Sequence, residues 1–226
     1  ISICSLLDSQ VLNFNFFHIK SSNITYVNGP FEDKEIKIKN FDEYKKILRQ
    51  NNIELDHKQR ELNIRTKLEE LLKRSKCSTD LSSRLVEEVV NLVENPIILK
   101  GKFNKEYLDL PDELLNLTMI HHQRYFPMKL ETDNKLINNF LFVANNFDNK
   151  NLITQGNEKV INARLSDAKF FWDKNKKQSL VKQVTKLNSI VFYQKLGSLY
   201  DKTQRVRQLS SFIADTIGAN KADTEI

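Results

Sequence analysis

Cysteine is almost missing: Cys4 and Cys77 are the two in 226 residues, and they stand far apart. That excludes a disulfide-stapled scaffold and a Cys-rich zinc site, and it predicts a reducing, cytoplasmic setting. Long apolar runs are missing too. Nothing reaches the length of a membrane span, and no secretory signal pattern opens the chain. Residues 11–19 (VLNFNFFHI) are apolar but short and broken by Asn, which predicts a buried strand. Phosphate loops are also lacking: neither GxxxxGK[ST] nor GxGxxG occurs, so nothing supports nucleotide binding by either fold. There is no internal repeat and no low-complexity linker.

What is present is a globular composition with an uneven charge. Hydrophobic residues make up 40% and charged residues 28%, enough for a core and a soluble surface. Residues 151–210 hold 12 Lys and Arg against 4 Asp and Glu, which is +8; the chain as a whole is +6, so the remainder carries −2. A basic third on a near-neutral body suits an anionic partner such as nucleic acid, or simply a solvated lysine-rich surface. The chain opens at Ile1 without Met and closes at Ile226 just past a helical pattern, which predicts a segment of a longer polypeptide.

Periodicity predicts strands and turns over 1–39, with a turn at Asn28-Gly29-Pro30 and a half-buried strand over 35–39. Helices follow over 42–50, 56–73 (stripe Ile64, Leu68, Leu71, Leu72) and 81–93 (Leu85, Val89, Leu92 and Val93 inward, ended by Pro96). A strand is expected from Ile97, a helix after Pro111, and a buried strand over 138–145. The segment 156–172, GNEKVINARLSDAKFFW, reads as an amphipathic helix capped by Asn157. Ile161, Leu165, Ala168, Phe171 and Trp172 are assigned to its packing side, and Lys159, Arg164 and Lys169 to its cationic side. A further short helix covers 180–187, and a last one runs from Ser198 to Gly218, carrying Val206, Leu209, Phe212 and Ile213.

Two groups of residues could carry chemistry. His121 and His122 are adjacent, about 100° apart on a helix, and no ligand stands four residues away, so a shared metal is not expected. The block His122-Gln123-Arg124-Tyr125-Phe126-Pro127 reads either as a helix-to-strand corner or as an RNA contact. In the second case Arg124 meets phosphate and His122 stacks on a base. Arg164 and Asp167 could pair on the surface. Lys202 and Arg205 add positive charge to the last helix.

Four blocks in order and spacing resemble the beta subunit of the bacterial heterotetrameric glycyl-tRNA synthetase. They are His122 to Pro127, Phe142-Val143-Ala144-Asn145, Gly156 to Phe171, and Val191-Phe192-Tyr193-Gln194-Lys195-Leu196-Gly197-Ser198-Leu199-Tyr200-Asp201-Lys202. The similarity runs from about Ile36 to Ile217. Two departures stand out: 16–23 reads FFHIKSSN where the family carries a Gly-His-Arg-Phe-like segment, and Ala163 replaces a common proline.

The resemblance implies an α+β fold. Residues 1–196 would be similar to the B3/B4 region of phenylalanyl-tRNA synthetase with a helical insertion at about 41–94, and 197–226 would open an HD-type helical domain. It implies a class II site using glycine and ATP with Mg in the alpha subunit, and no cofactor and no catalytic residue in this segment. The expected partners are the alpha subunit, tRNA(Gly) and a second beta subunit in an α2β2 assembly. His122, Arg124, Lys159, Arg164, Lys169, Lys202 and Arg205 are the candidate RNA contacts. Two alternatives belong to other classes: an editing hydrolase in which His121 or His122 activates water, and an RNA-independent scaffold that docks the alpha subunit.

Overall fold

The structure is a computed structural model that describes residues 2–28, 33–81 and 83–219. It is mixed α+β and forms two compact units, Ile1–Asp167 and Ala168–Ile226. The change of character expected near Gly197 falls inside the second unit. Among the described residues no helix is long and apolar enough to cross a membrane.

The first unit opens with short strands. Ile3–Cys4 runs parallel to Ile19–Ser22, which pairs antiparallel with Asn15–Phe16. Ser21 ties the ribbon together: its buried hydroxyl donates to the Leu12 carbonyl (2.6 Å) and accepts from the Phe14 amide (2.9 Å). The expected buried strand over 11–19 is corrected. Phe14, Phe16 and Phe17 are 45%, 59% and 86% exposed, because a two-residue strand pair has no second layer to cover its rings. Ile24–Asn28 and Asp33–Lys37 form an antiparallel hairpin; Gly29 and Pro30 of the expected turn lie outside the described residues.

Helices α1 (Phe41–Gln50), α2 (His57–Ser75) and α3 (Ser83–Val90) follow. Asn40 and Asp56 cap the first two by accepting amides of their first turns. The stripes of α2 and α3 meet one face of a four-stranded antiparallel sheet. Its order is Cys77–Ser78, Phe126–Leu130, Leu136–Ala144, Ile97–Lys102. Ile64, Leu68, Val86, Val90, Phe126 and Leu141 are essentially sealed in that layer. Leu92 is corrected: α3 stops at Val90, so Leu92 falls in a turn and is 68% exposed. Pro127 sits inside its strand opposite Phe140, and the pairing register shifts between Pro127 and Lys129, an irregularity of the kind at which a strand tolerates proline.

Strand alternation turns Phe140 and Phe142 to the opposite face from Leu141. There Tyr125 stacks on Phe140 (centroids 4.6 Å, planes 17° apart) and tilts against Phe142. Gly101 pairs with Phe140 across the strands, and a Cβ at Gly101 would lie 2.5 Å from the ring. Helix α4 (Asp112–Asn116), with Pro111 just before it, runs into a π-helical turn at Leu117–His122 that delivers the chain to Tyr125. Helix α5 (Leu152–Lys176) closes the unit and continues into the next.

In the second unit the end of α5 is followed by α6 (Leu180–Val184) and a 3-10 turn at Thr185–Ser189. A ribbon of Val191–Tyr193 with Gly197–Ser198 and helix α7 (Leu199–Ile217) complete it. Helix α7 has a full capping box. The Ser198 hydroxyl accepts from the Asp201 amide (3.2 Å), and the Asp201 carboxylate accepts from the Ser198 amide (2.8 Å). Gly218 ends it in the left-handed conformation, φ 69°. Val206, Leu209, Phe212 and Ile213 are all more than half exposed, and Ala214 is the buried apolar residue among those described here.

Candidate functional site

Helix α5 starts earlier than its sequence suggests. The Asp148 carboxylate accepts the amides of Ile153 (2.9 Å) and Thr154 (2.8 Å), so it caps the helix and Asn157 does not. Desolvation pushes the pKa of Asp148 up. The hydrogen bonds from Thr154, Ile153 and Leu152 outweigh it, and the group lies below the ordinary carboxylate value. Gly156 lies within the helix with open space around it. Asn157 is used differently: its amide donates to the Ile153 carbonyl (2.8 Å) and its oxygen accepts the Tyr125 hydroxyl (2.6 Å).

Two further hydrogen bonds anchor α5 in the first unit. The Lys102 amide donates to Glu158 (3.0 Å), and the Asn104 amide donates to Asn162 (2.9 Å). Ile161 and Leu165 are fully buried, as the periodicity predicts. Lys159 and Arg164 are exposed, and neither forms an ion pair among the described residues; Arg164 and Asp167 do not pair. The packing assigned to Phe171 and Trp172 is corrected, since they are 57% and 36% exposed. Three consecutive aromatics span about 200° of a helix surface, so one core cannot take them all.

The block His122 to Pro127 is the corner expected of it. Tyr125 is 5% exposed and Phe126 is sealed. Burial pushes the Tyr125 hydroxyl up to about 12. Arg124 adopts the left-handed conformation, φ 59°, which turns its side chain back. Its guanidinium pairs with Glu88 of α3 (2.5 Å) and donates to the His121 carbonyl. An arginine so engaged has less to offer a phosphate than the sequence implied. His121 and His122 are exposed, and neither imidazole makes a hydrogen bond among the described residues. Among the described residues, no group of three or more His, Cys, Asp and Glu side chains gathers to hold a metal ion.

Lys169, Lys202 and Arg205 belong to the second unit. Lys169 pairs with Asp173 one turn on (3.5 Å). The Lys202 ammonium lies 4.4 Å from the centre of the Phe192 ring. Arg205 donates to the Leu196 carbonyl (2.9 Å). Hydrogen bonds from the Ser198 amide and hydroxyl hold Asp201 below the ordinary carboxylate value, with nearby Arg205 adding to the effect. The sequence pointed to these cations but not to Glu88 as a partner of Arg124, nor to Asn157 as the partner of Tyr125, and it assigned Phe171 and Trp172 to packing. Nothing in one sequence pairs Tyr125 with a residue 32 positions on.

The sequence matches the family described as "Glycyl-tRNA synthetase beta subunit" over residues 1–225. It is 37% identical over 214 residues to the glycine–tRNA ligase beta subunit of Rickettsia akari (strain Hartford), an alignment covering 94% of this chain and 32% of that protein. The beta subunit of Streptococcus agalactiae serotype Ia is 36% identical over 211 residues, 93% of this chain and 31% of its own length. The chain thus spans about a third of the length of the curated relatives it matches.

Proposed function

This chain belongs to the glycyl-tRNA synthetase beta subunit family, and from that premise we propose that it is the region of a glycine–tRNA ligase beta subunit that grips tRNA(Gly) by its acceptor arm and takes part in an α2β2 assembly. Activation of glycine with ATP and Mg is assigned to the alpha subunit, so no chemical step is derived on this chain's residues. Residues 1–196 are read as the B3/B4-like module with its helical insertion at about 41–94, and residues 197–226, with α7, as the opening of an HD-type helical domain. The four-stranded sheet layered with helices supports the first part of that reading, and the capped helix that starts at Leu199 supports the second.

One observation carries the proposal. Helix α5 buries Ile161 and Leu165 completely and leaves Lys159 and Arg164 in solvent with no acidic partner among the described residues. An anchored helix with unpaired cations can contact a phosphate backbone without reading bases. Of the seven candidates, Lys159 and Arg164 are therefore the strongest, and Arg124 the weakest because Glu88 already holds it.

The test is tRNA(Gly) binding by the assembled enzyme carrying Lys159→Gln and Arg164→Gln, measured across salt concentrations. Affinity should fall, and the slope of log K against log salt should flatten by about one for each phosphate-bound cation removed. Unchanged affinity and slope would make these residues structural, and failure of tRNA to crosslink to this region would favour the scaffold reading. The hydrolase reading has no observation in its favour, because among the described residues no hydrogen bond orients either imidazole as a general base.

A further inference from the structure

Phe170, Phe171 and Trp172 are consecutive, and lysines stand four residues after the first and the last. On a helix that spacing sets each lysine one turn beyond its ring. Lys174 Nζ lies 5.8 Å from the Phe170 ring centre, and Lys176 Nζ lies 5.8 Å from that of Trp172. Phe170 and Phe171 meet edge to face at 5.4 Å. The rings stay open to solvent nonetheless, at 61%, 57% and 36% exposure. The motif recurs in the same unit, where Lys202 covers one side of Phe192, itself 38% exposed.

Exposed rings invite a partner, and the surroundings say which kind. Protein-docking faces are enriched in aromatics but depleted in lysine. Here lysines at 169, 174 and 176 flank the three rings, and residues 168–219 hold 10 Lys and Arg against 3 Asp and Glu, an excess of +7. Open aromatic faces interleaved with cations suit single-stranded nucleic acid, whose bases stack on rings while its phosphates meet ammonium groups. A duplex cannot use the rings, since its bases already stack on one another.

We infer that the last turns of α5 form a stacking platform for unpaired RNA nucleotides, with Phe170 and Trp172 taking bases and Lys174 and Lys176 the adjoining phosphates. This rests on the RNA-binding reading above and narrows it from backbone contact to an unpaired strand.

The assembled enzyme is compared with its Phe170→Leu and Trp172→Leu variants by anisotropy of labelled RNA. The parent should bind a short single-stranded oligoadenylate, and a blunt RNA duplex of equal length far less tightly. Phe170→Leu keeps the apolar bulk and removes the stacking face. It should weaken oligoadenylate binding about fivefold or more, read by anisotropy of labelled RNA, with an unchanged circular dichroism spectrum. If oligoadenylate binds Phe170→Leu and Trp172→Leu as tightly as the parent, the platform is overturned while phosphate contact through Lys159 and Arg164 stands. If oligoadenylate does not bind while tRNA(Gly) does, the platform is overturned and the phosphate-contact reading keeps its own test. If Phe170→Leu and Trp172→Leu weaken association with the alpha subunit and leave oligoadenylate binding unchanged, the rings dock protein and the inference is wrong.

Discussion

Removing a single oxygen from Tyr125 tests how α5 is fastened to the sheet. The hydroxyl is buried and donates to Asn157 at 2.6 Å, while the ring stacks on Phe140. Tyr125→Phe keeps the stack and deletes the hydrogen bond. One neutral hydrogen bond is worth about 1 kcal/mol net, and the Asn157 oxygen left behind is half-buried, so the cost should be about 1–2 kcal/mol. For a chain of this size that is a fall in Tm of about 2–8 °C.

The pH dependence makes the test sharper. The folded hydroxyl titrates at about 12 against an ordinary value of 10.0. A raised value means that the fold favours the protonated form. Its contribution is complete below about pH 10 and is lost as pH rises toward 12, by at most about 2.7 kcal/mol. The gap between parent and Tyr125→Phe should therefore be present at pH 8 and close, or reverse, between pH 10 and 12. Urea midpoints followed by far-ultraviolet circular dichroism measure it, with other titrating groups cancelling in the difference. Tryptophan emission is unsuitable, because Trp172 lies in the second unit. A gap that stays constant from pH 8 to 12 would refute a buried Tyr125–Asn157 bond.

Leu165→Ala should cost about 2–5 kcal/mol, whereas Phe171→Ala should stay within about 0.5 kcal/mol, because the first side chain is sealed and the second is 57% exposed; denaturant midpoints compare them. Gly101→Ala should destabilise by about 1–3 kcal/mol, since its Cβ would lie 2.5 Å from a fully buried Phe140 ring, and Gly101→Ala with Phe140→Leu should recover part of that in a double-mutant cycle.

Positions that one helix face could decide were readable in the sequence. The stripes Ile64–Leu68–Leu72 and Ile161–Leu165 are sealed, because each meets a partner within its own unit. The start of α7 was readable for a local reason too: Ser198 and Asp201 satisfy each other's backbone three residues apart. The start of α5 was not. Gly156 reads as a boundary, yet an exposed helix tolerates a glycine for about 1 kcal/mol, and the true cap, Asp148, reaches amides five and six residues on. The pairing of Arg124 with Glu88 was hidden for a similar reason: Arg124 has a left-handed backbone, and periodicity carries no backbone sign.

Periodicity also cannot say what covers an apolar position. Phe212 on α7 and Phe171 on α5 fit helical stripes as well as Leu165 does, yet both are more than half exposed. For Phe170, Phe171 and Trp172 the sequence held a second signal, three rings in a row with lysines at i+4. No core stripe has that spacing, because three successive side chains fan across most of a helix circumference. Composition placed the positive charge in this part of the chain, and the structure shows how several of its cations are engaged. Among the described residues Lys159 and Arg164 have no acidic partner, Lys169 is neutralised by Asp173, and Lys174 and Lys176 rest over rings that remain open. A cation over an aromatic face keeps its charge, so those rings and their lysines can be engaged by one strand at once, which an ion pair such as Lys169–Asp173 could not offer without first being broken.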